Sequence, residues 1–248
     1  MTKAVINSYV LFSKLEQGRE GHLQTLQEQL GNISFVEAVF PKYEKVPFIK
    51  QLVAQSKKRT GKALLESEIG CLLGHRKIWH LIANKIDCEN EHFLILESDS
   101  KIIALDSLIN AFAQTVSINN NPKYDLFFWG AWNGNTRIKK STQIKWSNKY
   151  SIGEPLIKSV YGTYGYSITP KAAKLLLKQT AKINHPVDYF KYHLSNTNLH
   201  IGAIRPAVID TWKTTASNIV YENKGLLIKR WLIMQIFDFR NMIIAYFC

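Results

Sequence analysis

The chain has 248 residues, with 32 Lys and Arg against 19 Asp and Glu, and so carries a formal net charge of +13. Its 46% hydrophobic and 21% charged residues give it the apolar content for a full core, which excludes a disordered polar chain and a collagen-like fibre. Three cysteines, Cys71, Cys88 and Cys248, lack CxxC spacing, which excludes a zinc ribbon and a disulfide framework and fits a reducing compartment. The charge implies an anionic partner, whether nucleic acid, phosphorylated metabolite or lipid surface.

The N-terminus has neither the apolar core nor the small-residue cleavage site of a signal peptide, and no window reaches ~18 uninterrupted apolar residues, so no membrane span is expected. Residues 4–12 read as a first strand, rich in β-branched and aromatic residues. A helix follows, with Leu23, Leu26 and Leu30 on one face and Gly31 as its stop. Residues 33–40 form a second strand closed by Pro41, and 41–62 read as a basic loop without a clear period. Helical spacing returns from Leu64 to about Lys85, through Ile69, Leu72, Leu73, Trp79 and Ile82. Residues 92–97 are a short apolar run ending in acid, the pattern of a buried parallel strand. A helix over 104–117 and buried strands over 124–130 and 159–169 come next. Pro170 then opens a helix in its preferred first turn, and 200–209 complete the sheet. Strands alternating with helices predict an α/β fold with a mostly parallel central sheet flanked by helices, with ligands at the carboxyl ends of the strands.

Chemistry concentrates in FLILESDS. Glu97 and Asp99 lie two apart where the strand gives way to loop, and extended geometry would send both carboxylates to one side. Such a pair suits a hard divalent cation, Mg²⁺ or Mn²⁺; two solvated acids beginning a turn is the plainer alternative. Cys71 and His75, four apart on a helix, share a face, but two residues do not complete a zinc shell and no second pair offers itself. The glycines of VYGTYGYSIT allow close backbone approach without a GxGxxG pattern, and Asp188 stands near a helix start, where an N-terminal cap would also explain it. No GxSxG nucleophile appears.

ESEIGCLLGHRKIW, FLILESDS, GTYGYSITPKAAKLLL and PVDYF, in that order, resemble glycosyltransferase family 25, over a stretch from the first strand to about Ile219. The resemblance implies a nucleotide-sugar-binding fold of the GT-A kind and inverting transfer of a hexose, usually galactose, from a UDP-sugar onto lipooligosaccharide or lipopolysaccharide. The family's acidic motif ordinarily reads Glu-Asp-Asp where this chain has Glu97-Ser98-Asp99, and its helix motif ends Ser-His where this chain has Gly74-His75. On this resemblance Glu97 and Asp99 would hold Mn²⁺ or Mg²⁺, and Asp188 would be the base that takes the acceptor's proton, with Glu154 and Asp210 as alternatives. Gly162, Thr163 and Tyr166 would line the sugar pocket, the Tyr166 ring offering a flat face, and His75 would touch the donor.

Residues 1–222 then form the transferase domain and 223–248 a C-terminal amphipathic helix. Its stripe of Ile228, Leu232, Ile236, Phe239, Ile243 and Tyr246, beside Lys229, Arg230 and Arg240, has the pattern of an interfacial helix; a helix packed on the domain or on a second copy is the alternative. The enzyme is accordingly expected in the cytoplasm, peripheral on the inner face of the membrane, with its charge serving an anionic leaflet rather than nucleic acid. A nucleic-acid-binding protein and a non-catalytic transferase homologue are the competing readings, the first from the charge, the second from Ser98 and Gly74.

Overall fold

The computed structural model describes residues 6–248 except 17, 87, 116–122, 131–135 and 212–224, and the side chains of 115 and 225–234. Four expectations therefore fall wholly or partly outside the described residues: the end of the 4–12 strand, the end of the 104–117 helix, the domain boundary at 222/223, and the side chains of Ile228, Lys229, Arg230 and Leu232.

Described strands β1 (Ser8–Phe12), β2 (Ile33–Glu37), β3 (Phe93–Glu97), β5 (Leu126–Phe128), β6 (Ile144–Lys145), β7 (Ser151–Gly153), β8 (Gly165–Ile168) and β9 (Ile201–Arg205) form one sheet in the order β2-β1-β3-β8-β5-β9-β7-β6. β2, β1, β3, β5, β9 and β6 run one way and β8 and β7 the other, so the sheet is mostly parallel, as expected. A two-stranded ribbon pairs β4 (Ser100–Ile102) with β10 (Ile209–Thr211), antiparallel.

Side-chain alternation sorts the apolar residues to two faces. Tyr9, Leu11, Phe93, Ile95, Leu126 and Phe128 bury against α2 (Ile49–Thr60), α3 (Glu66–Ala83), α5 (Pro170–Gln179) and α6 (Phe190–His193). Val10, Leu94, Leu96 and Phe127 bury against α1 (Glu20–Leu30) and α4 (Leu105–Thr115). The result is a three-layer α/β/α body.

Local chemistry accounts for the element ends. Gly31 closes α1 at φ 79°, a conformation that favours glycine. Thr169 caps α5, its Oγ1 accepting from Ala172 N–H at 3.3 Å, with Pro170 at the first helical position. At the start of α3 the Leu65 N–H donates to Glu68 Oε2 at 2.8 Å.

The expected loop over 41–62 is corrected: Ile49–Thr60 is helix α2. Ile49, Leu52 and Val53 lie at helical spacing and pack on the α3 side of the core, and Ser56 Oγ accepts from Leu64 N–H at 3.0 Å, tying α2 to α3. Lysines at 50, 57 and 58 mask this short apolar face in a linear reading, while Lys57, Lys58 and Arg59 suit the last turn by complementing the helix dipole. The 159–169 strand is likewise shorter than expected, confined to Gly165–Ile168, because the chain turns at Gly162 (φ 88°).

The C-terminal helix α7 (Gly225–Phe247) is present. Arg137 forms a two-point ion pair with Asp238, its Nε donating to Oδ1 at 3.0 Å, and Asn241 and Ala245 are buried. Ile236 (68% exposed), Phe239 (61%), Ile243 and Tyr246 face outward.

Candidate active site

The site forms at the carboxyl end of β3, where the antiparallel β8 begins and Leu96 pairs with Gly165. Extended geometry does not continue past Glu97, as the sequence reading supposed: Ser98 and Asp99 make a tight turn into β4. The turn is fixed from within, since Ser100 Oγ accepts from Glu97 N–H at 2.8 Å and donates to the Tyr164 carbonyl. The two carboxylates nonetheless stay close enough for the Glu97 charge to act on Asp99.

Glu97 is held from two sides. His75 Nε2 lies 3.2 Å from Glu97 Oε1, and Thr163 Oγ1 donates to the same oxygen. Behind His75, the Trp79 indole N–H donates to Tyr166 Oη at 2.8 Å, leaving the single phenol proton for His75 Nδ1 at 2.9 Å. The ring proton of His75 therefore sits on Nε2, facing Glu97. Burial works against an ionised Glu97, but the hydrogen bonds from His75 and Thr163 and the Arg19 guanidinium hold its carboxyl below the usual range.

Asp99 and Asp188 are pushed the other way. Burial first, and then the Glu97 charge, raise each to about 6. Asp99 Oδ1 is buried and has no hydrogen-bond partner. A desolvated carboxylate oxygen facing like charge fits a divalent cation, which would supply the missing positive charge. The expected metal pair thus has the chemistry for Mn²⁺ or Mg²⁺, with Asp99 offering an unpartnered oxygen and Glu97 as the anchored member.

The other expected site residues fall as follows. Gly162 makes the left-handed turn that brings Thr163 to Glu97. Tyr166 is fully buried, with its ring against Phe190 and its hydroxyl on His75, so the expected stacking face for a sugar is not presented. His75 is also fully buried and bears on the site through Glu97 rather than by facing the cleft. Of the alternative bases, Asp210 lies on β10 opposite Lys101 and near enough to act on the Tyr164 phenol, whereas Glu154 is paired with Lys139 at the β7 edge of the sheet. Two surface recesses, of 470 and 890 Å³, lie at the opposite end of β3 around Lys174, Glu89 and Asn90, away from these carboxylates.

Sequence reasoning missed one participant, Arg19, and set another, Cys71, aside. Arg19 donates to Ser98 Oγ and pairs with Glu16 at 3.2 Å, placing a cation beside the acidic turn. Cys71 lies with His75 and Glu97 in a group whose S, N and O atoms all fall within 4.8 Å of one another. The i, i+4 spacing of Cys71 and His75 was visible; the third member comes from another element and was not.

The acidic residues thus lie at the carboxyl end of a central strand, where open α/β sheets gather their ligands. The family model described as glycosyltransferase family 25 (LPS biosynthesis protein) matches residues 7–191, and the chain belongs to that family. It is a glycosyltransferase, for which membership implies a nucleotide-sugar donor and a glycan acceptor. The chain is also similar to a solved structure, "Crystal structure of a glycosyltransferase involved in the glycosylation of the major capsid of PBCV-1", at 9% identity and a TM-score of 0.40, covering 85% of this chain and 94% of that one. That likeness is too low to carry anything about activity. No curated protein sequence matches the chain.

Proposed function

We propose that this chain is an inverting hexosyltransferase that moves galactose from a UDP-sugar onto a lipooligosaccharide or lipopolysaccharide acceptor. The observation that carries the reading is Asp99 Oδ1, a buried, unpartnered carboxylate oxygen in the same cluster as the anchored Glu97 and the raised Asp188. Asp99 and Glu97 would hold Mn²⁺ or Mg²⁺, and such an ion, when bound, offsets the negative charge gathered by a departing diphosphate.

The remaining work falls to the protein's own groups. Asp188, at about 6, is ionised at neutral pH yet basic enough to accept the proton of an acceptor hydroxyl as that oxygen attacks. His75 and Thr163 keep Glu97 oriented, so the carboxylate needs no rearrangement when ligand arrives. Gly162 and Thr163 would border the sugar, while Tyr166 acts behind His75 as a positioning residue.

The acceptor class suggests where the enzyme works. Ile236, Phe239, Ile243 and Tyr246 are exposed on α7 while Asp238 and Asn241 turn inward, and exposed Arg240, Lys140 and Lys158 lie on α7 and the turns it packs against. This combination supports docking on an anionic membrane surface. Among the described residues no helix is long and apolar enough to cross a membrane.

The test is UDP release from UDP-galactose and UDP-glucose with Mn²⁺ and truncated lipooligosaccharide, with the product analysed by mass spectrometry. A hexose added to the acceptor, with galactose preferred, is expected. Tight oligonucleotide binding without any UDP-sugar turnover would overturn the reading in favour of a nucleic-acid partner.

A further inference from the structure

Cys71, His75 and Glu97 present a thiol sulfur, an imidazole nitrogen and a carboxylate oxygen within 4.8 Å of one another, from two elements of fixed geometry. Cys71 and His75 stand one turn apart on α3, and Glu97 ends β3. Hard ions such as Mg²⁺ and Mn²⁺ favour oxygen alone, whereas a mixed S, N, O set is a zinc set, and three protein ligands leave a fourth position open. Burial first, and then the charges of Glu97, Asp188 and Asp99, hold the Cys71 thiol protonated, and a dication bound there would offset that excess of negative charge.

We propose that Cys71, His75 and Glu97 form a second, thiophilic metal site that takes Zn²⁺ and, by occupying Glu97, inhibits the transferase. The ion would replace the proton now lying between His75 Nε2 and Glu97 Oε1. That proton passes to Nδ1 and is donated to Tyr166 Oη, 2.9 Å away, giving the ligand its outer hydrogen bond, while the Tyr166 hydroxyl, now accepting from both Trp79 and His75, turns its own proton away from the ring. The Cys71 thiol proton leaves to solvent as the S–Zn bond forms, so each ion bound releases one proton. Because Zn²⁺ then engages the same carboxylate that would support the catalytic cation, the two ions compete. Zinc binding stands on the trio's geometry alone; inhibition rests on the function proposed above.

Three measurements on the full chain, without added metal at the start, separate these parts. Titration with Co²⁺, the optical stand-in for Zn²⁺, is expected to give a near-ultraviolet thiolate-to-metal absorption band that Zn²⁺ abolishes. The band should be lost in Cys71→Ser and kept in Cys88→Ser and Cys248→Ser. A missing band, or one that survives Cys71→Ser, overturns the site. On the unaltered protein, Zn²⁺ should slow alkylation of Cys71 at least tenfold and leave Cys248 unaffected; equal rates overturn the site even if the variant does not fold. Zn²⁺ at a concentration that saturates the cobalt-competition signal should suppress UDP release, and Cys71→Ser should raise the half-inhibitory concentration at least tenfold. Equal inhibition of both proteins overturns the regulatory role while leaving the site. An enzyme that turns over no UDP-sugar at all, yet shows the band, overturns the proposed function and its inhibition and not the metal site.

Discussion

Arg19 donates a hydrogen bond to the Oγ of Ser98, the residue between Glu97 and Asp99 in the chain, and Ser98 in turn donates to Glu16 Oε2 at 2.6 Å. The family's ordinary middle acid is thus replaced here by a hydroxyl that bridges an Arg–Glu pair, and the turn is held without adding a charge to an already crowded cluster. Ser98→Asp would give Arg19 a carboxylate partner and set that charge against Glu16 and Asp99. The expected outcome is a Mn²⁺ half-saturation for UDP release about three- to tenfold lower, ~1 kcal/mol, the scale of one added charge in a partly solvated site. A kinetic titration of the variant with Mn²⁺ measures it.

Asp188→Asn should lower turnover by about 10²–10⁴, the range for loss of a general base. In the unaltered enzyme, activity should fall as pH drops below about 6, where the Asp188 carboxyl takes a proton and stops accepting one. Folded-state pKa is raised here, so stability grows as pH falls through that range, and the uncharged Asn variant should be more stable at pH 7 by about 1–2 kcal/mol, allowing for partial solvent screening. A pH–rate profile beside a urea melt checks both signs.

His92 gives the opposite dependence. It is buried between Ser167 Oγ at 3.0 Å and the Tyr124 carbonyl at 2.6 Å, and burial lowers it to about 4. The native state therefore binds fewer protons than the unfolded chain below pH 6.5. Stability is complete above that pH and declines as pH falls towards 4, by about 2 kcal/mol at pH 5. His193, also lowered by burial, acts in the same direction. Urea midpoints at pH 7 and 5 should show this loss, and His92→Asn should reduce it while lowering stability at both.

The outward face of α7 is tested by Phe239→Glu with Ile243→Glu. Vesicles containing anionic lipid should bind this double variant at least tenfold more weakly in sedimentation, with UDP release on a soluble acceptor unchanged, because neither residue touches the β3 site. Asp238→Ala should instead release the helix from Arg137 and lower thermal stability.

Much of this fold was readable because its signals are local. The apolar spacing of α3, the Gly31 stop and the Pro170 start each involve residues within a turn of one another. α2 escaped because its three apolar contacts span little more than one turn, with Lys50 among them and Lys57, Lys58 and Arg59 following. The site was readable as a list of residues but not as an arrangement. Pairing of Ser100 with Thr211, burial of Tyr166 behind His75, and the meeting of Cys71 with Glu97 all join distant segments, and no spacing encodes them. Gly74 shows a substitution explained only in three dimensions: a Cβ there would come 2.9 Å from Leu11 Cδ2, so the family's serine would have to move a core leucine. Gly74→Ser should cost about 1 kcal/mol in a urea melt.

The most direct measurement is calorimetric titration of Mn²⁺ into the UDP-saturated enzyme and its Asp99→Asn variant, with circular dichroism to show both folded. Stoichiometric binding by the unaltered protein, weakened at least a hundredfold by removing this one buried charge, is the expected result. Equal affinity in the two proteins would contradict the assignment of Asp99 to the cation and the mechanism built on it.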